Sequence, residues 1–173
     1  MVIVLMGVTG TGKTTVGQAL AQAMGCEFAD ADDFHSAENR AKMHASIPLT
    51  DADREPWLRS LHAQISAWLS QGTDAVLACS ALKQAYRAQL TAGAAPGLVR
   101  FVYLSGPESV ILGRLERRKG HYMPASLLDS QMAALEPPHD ALRISVTQPV
   151  HTIVQQIMAA LAQEGYVGKQ QLK

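Results

Sequence analysis

The residues with the plainest chemistry stand at the start of the chain. Gly7-Val8-Thr9-Gly10-Thr11-Gly12-Lys13-Thr14 places a glycine, four open positions, then Gly-Lys-Thr, which is the spacing of a phosphate-binding loop. Gly7, Gly10 and Gly12 let the backbone curl so that successive N–H groups face phosphate oxygens. A helix opening near Lys13 adds its positive N-terminal end. Lys13 brings a compact charge to the β and γ phosphates of a nucleotide, and the Thr14 hydroxyl is placed to ligate magnesium. The phosphate-contacting set runs through Gly7, Val8, Thr9, Gly10, Thr11, Gly12, Lys13, Thr14 and Thr15. A glycine-rich turn can match this pattern by chance. Here the motif follows an apolar strand and opens an amphipathic helix, as its chemistry requires.

The second group is acidic. A strand over residues 27–29 runs into Asp30, Asp32 and Asp33, while the strand over residues 75–79 ends at Cys79-Ser80 and offers no carboxylate. One acid of the cluster can hold magnesium, and another can take the proton from an attacking hydroxyl. In an extended segment Asp30 and Asp32 share a side and Asp33 faces away. A solvated acidic loop or a helix cap is the plain alternative. The third group is basic: Arg114, Arg117, Arg118 and Lys119 end a helix. Arg114 and Arg118, four apart, share a helical face. Macrodipole compensation accounts for such a run; a lid closing over ATP is the functional reading.

The elements that must position these groups alternate regularly. Strands are expected over residues 2–6, 27–29, 75–79, 99–104 and 142–146. Helices are expected over 13–24, 37–44, 56–71, 82–90, 108–118, 127–135 and 150–162. Val16, Leu20, Ala23 and Met24 form the first helix's apolar stripe, with Gly25 as its stop. Residues 48–55 read as an acidic loop, with Pro56 as a first helical residue. The alternation predicts an α/β three-layer P-loop NTPase fold, a parallel sheet flanked by helices. One domain spans residues 1–173, with a polar tail over 164–173 expected to fray.

Composition agrees. The chain has 173 residues, 47% hydrophobic and 17% charged, which suits one buried core. Fifteen basic and fifteen acidic residues give a formal charge of zero, so no nucleic-acid or membrane partner is expected. Two cysteines, Cys26 and Cys79, lie far apart without metal-ligand spacing and are expected to be buried reduced thiols. The apolar start is too short for a signal peptide, so a cytoplasmic location is expected.

Five blocks carry a family resemblance. They are Leu5-Met6 with the phosphate loop, Asp30-Ala31-Asp32-Asp33-Phe34-His35, Asn39 and Lys42-Met43; Ile47-Pro48-Leu49-Thr50-Asp51-Ala52-Asp53-Arg54 with Pro56-Trp57-Leu58; Cys79-Ser80-Ala81-Leu82-Lys83 with Tyr86-Arg87; Arg114-Leu115, Arg118 and Gly120-His121-Tyr122-Met123; and Gln131 with Leu135-Glu136-Pro137-Pro138. In order, over nearly the whole chain, these resemble gluconate kinase. Ser36 stands where the family usually has proline, and Thr9 and Thr11 replace the more usual serines. The resemblance implies ATP-dependent phosphorylation of the 6-hydroxyl of D-gluconate with magnesium. It also implies a five-stranded parallel sheet, a mobile lid at about residues 114–126, and a homodimer.

Gluconate carries a carboxylate at one end and the reactive hydroxyl at the other. Arg54 is the expected carboxylate partner, since guanidinium pairs with it bidentately; a surface arginine on Asp51 or Asp53 is the alternative. His35, Ser80 and Lys83 are expected at the sugar, and His121 against substrate from the lid. The catalytic set is Lys13, Asp32 and Arg118, with Asp30 and Thr14 at magnesium. Arg114 and Arg118 are expected on the phosphates and Gln148 near adenine. A shikimate kinase or other small-metabolite kinase is the nearest rival on the same scaffold. A non-catalytic nucleotide sensor is the rival of another class, although Lys13, Asp32 and the arginines are all retained. No Asn-Lys-x-Asp segment suggests a GTPase.

Overall fold

The computed structural model describes residues 1–45, 47–117 and 125–166. Strand β1 (Val2–Met6) is apolar throughout and buried at every position, as a strand covered on both faces must be. It takes the centre of a five-stranded sheet with β2 (Glu27–Asp30), β3 (Ala75–Ala78), β4 (Val99–Ser105) and β5 (Leu142–Ser145), in the order β2-β3-β1-β4-β5. Every pairing is parallel, with Val2 opposite Ala75 on one side and Val99 on the other. The chain leaves β1 toward one edge and later crosses to the other. The carboxyl ends of β1 and its neighbours are therefore the place where such sheets hold ligands.

Alternate β1 residues feed two cores. Val2, Val4 and Met6 pack with Trp57, Leu58, Leu61, Ile65 and Trp68 of α3 (Asp51–Ser70). Ile3 and Leu5 pack with α1 (Lys13–Met24) and α7 (Val150–Gln163). A smaller cluster joins Val8 to Ile111 and Leu115 of α5 (Glu108–Glu116) and Leu128 of α6 (Ala125–Ala134). Helices α2 (Ala37–His44) and α4 (Gln84–Leu90) complete the set among the described residues.

Several expectations are corrected. Helix α3 opens at Asp51, not Pro56, because Thr50 and Asp53 close a capping box: the Asp53 N–H donates to Thr50 Oγ1 at 3.1 Å, and the Thr50 N–H to Asp53 Oδ2 at 2.9 Å. Pro56 lies inside the helix, and exposed Ala52 one turn earlier leaves the unpaired carbonyl to water. In α1 the inward alanine is Ala21 rather than Ala23, since Gly17 and Ala21 run beside the Val16–Leu20–Met24 row. Cys79 is buried, and burial pushes its thiol up to about 12, but Cys26 is half-buried. At the start of the tail expected to fray, Glu164 pairs with Arg100 at 2.9 Å and the Tyr166 hydroxyl donates to Asp74 at 3.3 Å; residues 167–173 lie outside the described residues. Among the described residues no helix is long and apolar enough to cross a membrane.

Candidate functional site

A cavity of about 960 Å³ opens at the carboxyl ends of β1, β2 and β3. The phosphate loop forms one wall. Gly7 has φ +140°, and a Cβ there would lie 2.5 Å from the Leu104 carbonyl oxygen, so only glycine lets the loop leave β1 this closely. Gly12, at φ 93°, opens α1, so the positive end of that helix meets the cavity. Within the loop, Thr11 Oγ1 donates to the Val8 carbonyl at 2.8 Å and Lys13 Nζ to the same oxygen at 3.0 Å. The Thr9 N–H donates to Gln131 Oε1 at 2.7 Å.

The acidic segment is a 3₁₀ turn, Ala31–Phe34, not an extended run. Asp30 causes this by accepting the Asp32 N–H at 3.1 Å, an Asx-type turn that bends the chain at the strand end. Asp30 and Asp32 nevertheless both line the cavity and Asp33 does not. The other oxygen of Asp30 accepts from Thr14 Oγ1 at 2.7 Å, which ties the β2 end to the first turn of α1.

His35 follows the turn, 6% exposed, stacked on Trp57 at 4.6 Å between ring centroids. Trp57 is fixed by donating from Nε1 to the Ala31 carbonyl at 2.7 Å. Burial first, then the charges of Arg54 and Arg40, push His35 down to about 4, so it faces the cavity as a neutral ring. Its Nδ1 is buried without a hydrogen-bond partner.

Arg54, Lys83 and Tyr86 line the cavity and converge on Asp51, which lies just outside it. Lys83 Nζ donates to both Asp51 oxygens at 2.9 Å, and the Tyr86 hydroxyl donates to Oδ1. These two bonds, Tyr86 foremost, hold Asp51 below the usual carboxylate range. Arg54 Nη1 donates to the Tyr86 oxygen at 3.3 Å and stands 3.6 Å from Asp51. Asp53 serves the fold instead: it caps α3, pairs with Lys42 at 2.8 Å, and is lowered to about 2 by that bond.

Ser80 lies at the sharp exit from β3, with its carbonyl accepting the Gly7 N–H at 3.3 Å. Ala81 beyond it has φ 44°, a left-handed conformation rare for alanine. Buried Arg87 holds it there, donating to the carbonyls of Ala81 at 2.9 Å and Leu82 at 3.0 Å. Arg114 bridges the phosphate loop to the β5 end by donating to the carbonyls of Thr11 and Val146. Gln148 lines the cavity beside Val150 and Ile153 and accepts from Gln156 at 2.9 Å. Thr15 also lines it. Arg117, the C-cap of α5, is exposed. Arg118 and His121 lie outside the described residues.

The structure therefore brings Thr9 to Thr15, Asp30, Asp32, His35, Arg54, Ser80, Lys83, Arg114 and Gln148 of the expected site residues to one cavity, whereas Gly7 and Val8 lie outside its lining. The sequence reading missed the roles of Asp51, Tyr86 and Gln131. The spacing of Lys83 and Tyr86, three apart at a helix start, was the available signal for the first pair. For Gln131, which bonds across 122 residues of sequence, the only signal was its place in the fifth family block, which gave it no role.

Comparison with known proteins agrees with this geometry. The protein family described as an AAA domain matches residues 2–138. A gluconokinase of Gluconobacter oxydans is 43% identical, covering 90% of this chain and 88% of its own. A probable gluconokinase of Mus musculus is 44% identical over 92% of this chain and 97% of its own. The crystal structure of a gluconokinase from Sinorhizobium meliloti superposes with a TM-score of 0.83 at 44% identity, over 93% of this chain and 91% of that one. A shikimate kinase from Aquifex aeolicus, at 16% identity and a TM-score of 0.60 over 95% of this chain and 98% of its own, shares the fold alone. With identity of this order across nine-tenths of its length, the chain belongs to the gluconokinase family.

Proposed function

We infer that the protein transfers the γ-phosphoryl group of ATP to the 6-hydroxyl of D-gluconate, giving 6-phosphogluconate and ADP. The observation that carries this reading is the single cavity that joins a phosphate loop to a cationic wall of Arg54 and Lys83. Such a wall suits an acceptor that carries its own anion. Phosphoryl transfer needs positioning and charge stabilisation more than covalent help, and the residues divide accordingly.

Lys13 exchanges the Val8 carbonyl for the β and γ phosphates, while the loop N–H groups and the α1 terminus hold the remaining oxygens. Arg54 forks onto the gluconate carboxylate. His35 meets the sugar as a neutral ring, and Ser80 and Lys83 bond its hydroxyls. Asp32 orients the 6-hydroxyl and takes its proton as the phosphoryl group arrives. Arg114 meets charge on the phosphates, and the family reading assigns Arg118 to the same charge and His121 to the substrate. Gln148 stands near adenine.

Magnesium fits the donors present. The Thr14 hydroxyl and the Asp30 carboxylate are hard oxygens 2.7 Å apart beside the phosphate loop. These two would hold the ion, which when bound neutralises phosphate charge. Among the described residues no cluster of three His, Cys, Asp or Glu could hold a metal unaided, as expected where phosphates supply most ligands. The family reading also carries a homodimer in the cytoplasm.

The test is ADP release with ATP and magnesium over a panel of gluconate, shikimate and related acids. Turnover on the order of 1–100 s⁻¹ with gluconate is expected. Turnover with shikimate and none with gluconate would overturn the assignment, and nucleotide binding without turnover on any acid would favour a sensor.

A further inference from the structure

Peptide 8–9 of the phosphate loop is held on both edges. Its carbonyl accepts from Lys13 Nζ and Thr11 Oγ1. Its N–H donates to Gln131 Oε1 of α6 at 2.7 Å. Thr9 lies at the end of the loop remote from α1. If the inner phosphates rest on the α1 terminus, this N–H serves the outermost one. A neutral carboxamide oxygen is thus seated where a terminal phosphate oxygen belongs.

The same segment is tied to the acceptor wall at its other end. The Glu136 N–H donates to the Leu82 carbonyl at 2.9 Å, and Glu136 Oε2 accepts the Gln84 N–H at the start of α4. Leu82 and Gln84 flank Lys83, and Lys83 lines the cavity. One short stretch, residues 131–136, therefore bonds the phosphate loop and the loop that presents Ser80 and Lys83.

We propose that Gln131 is a positioning residue that couples occupancy of the terminal phosphate position to the gluconate wall. A charged phosphate oxygen is a stronger acceptor than an amide oxygen, so a bound triphosphate takes the Thr9 N–H and releases Gln131. A diphosphate lacks that oxygen and leaves the bond in place. The release removes the Gln131 tether while Leu128 keeps α6 packed on Val8, and the Glu136 bonds pass the change to residues 82–84. Coupling of this kind is reciprocal: gluconate must in turn favour the triphosphate. The proposal rests on the gluconate reading above.

The experiment is calorimetric titration of gluconate into the full-length protein with magnesium and either ADP or a non-hydrolysable ATP analogue. In the wild type, gluconate should bind about 5–20-fold tighter with the analogue, within the usual span of coupling between sites. Gluconate that binds to neither complex would sink the substrate reading, and the coupling with it. Gluconate that binds both equally would overturn the coupling alone. Gln131→Leu should bring the ratio below about twofold with the melting temperature and ADP affinity kept. Gln131→Glu keeps an acceptor for Thr9 but sets a negative charge against the incoming phosphate, so it should weaken the analogue and spare ADP. A ratio unchanged in Gln131→Leu, or equal losses for both nucleotides in either variant, would show that the bond serves only the fold.

Discussion

Removing the Arg54 guanidinium separates the acceptor end of the cavity from the nucleotide end. Its bonds within the protein are weak: 3.3 Å to the Tyr86 oxygen and 3.6 Å to Asp51, with the side chain one-third exposed at 33%. Asp51 keeps Lys83 and Tyr86 when Arg54 is gone. Such a partly exposed pair contributes about 0–1 kcal/mol to the fold, so Arg54→Ala should lower the melting temperature by no more than about 4 °C. Against a bound carboxylate the same group makes a charge-assisted contact of roughly 1.5–3 kcal/mol, which corresponds to about 10–150-fold in KM for gluconate. KM for ATP should stay within about twofold, because Arg54 touches no part of the phosphate loop. Arg54→Lys keeps the charge and loses the fork, so it should fall between. Arg87→Ala is the contrasting control. That buried guanidinium holds the Ala81 and Leu82 carbonyls, so its loss should destabilise the protein and disturb both substrates. The assay is a coupled ADP-release titration of each substrate at saturating levels of the other, beside thermal melts. Equal rises in both KM values for Arg54→Ala would refute the assignment.

Asp32→Asn should lower kcat by roughly 10²–10⁴ with nucleotide binding kept, whereas Asp30→Asn should raise the magnesium requirement; a magnesium titration that rescues Asp32→Asn instead would reverse the two roles. His35 sits at about 4 when folded and near 6.5 when unfolded, so its contribution is full above pH 6.5 and is lost as pH falls toward 4, by up to about 3 kcal/mol. Melts of wild type and His35→Phe across pH 4–7.5 should converge in shape only if another group sets that slope. Leu61→Ala, at 0% exposure beneath the sheet, should cost about 2–5 kcal/mol in denaturant titration; under 1 kcal/mol would mean the α3 core repacks freely.

The fold was legible where one short-range rule decides it. The apolar run at β1, the glycine loop and Gly25 each act within a few residues, and the strands fell within a residue or so of their observed ends. Pro56 misled because its preference for a first turn competes with the capping box of Thr50 and Asp53, and two reciprocal bonds outweigh one missing N–H. The Asp30–Asp33 segment misled because alternation assumes a strand, while the Asp30 carboxylate takes the Asp32 N–H and bends the chain. The site was legible as residue types on loops. Its wiring was not: Asp51 with Lys83, Arg87 with Ala81 and Gln131 with Thr9 are long-range or strained contacts, and no periodicity announces them.

The alternation of β1 side chains between two cores has an evolutionary consequence. Val2, Val4 and Met6 serve the face with α3, which carries Arg54, and the turn and loops beside it carry Asp32, His35, Ser80 and Lys83. Ile3 and Leu5 serve the face with α1 and α7, which supports the nucleotide wall with Val150 and Ile153. A substitution that reshapes the acceptor wall is paid out into one core and is insulated from the other by a full layer of backbone. Lineages can thus exchange one metabolite for another while the ATP half stays unaltered, and a scaffold of this kind diversifies one face at a time.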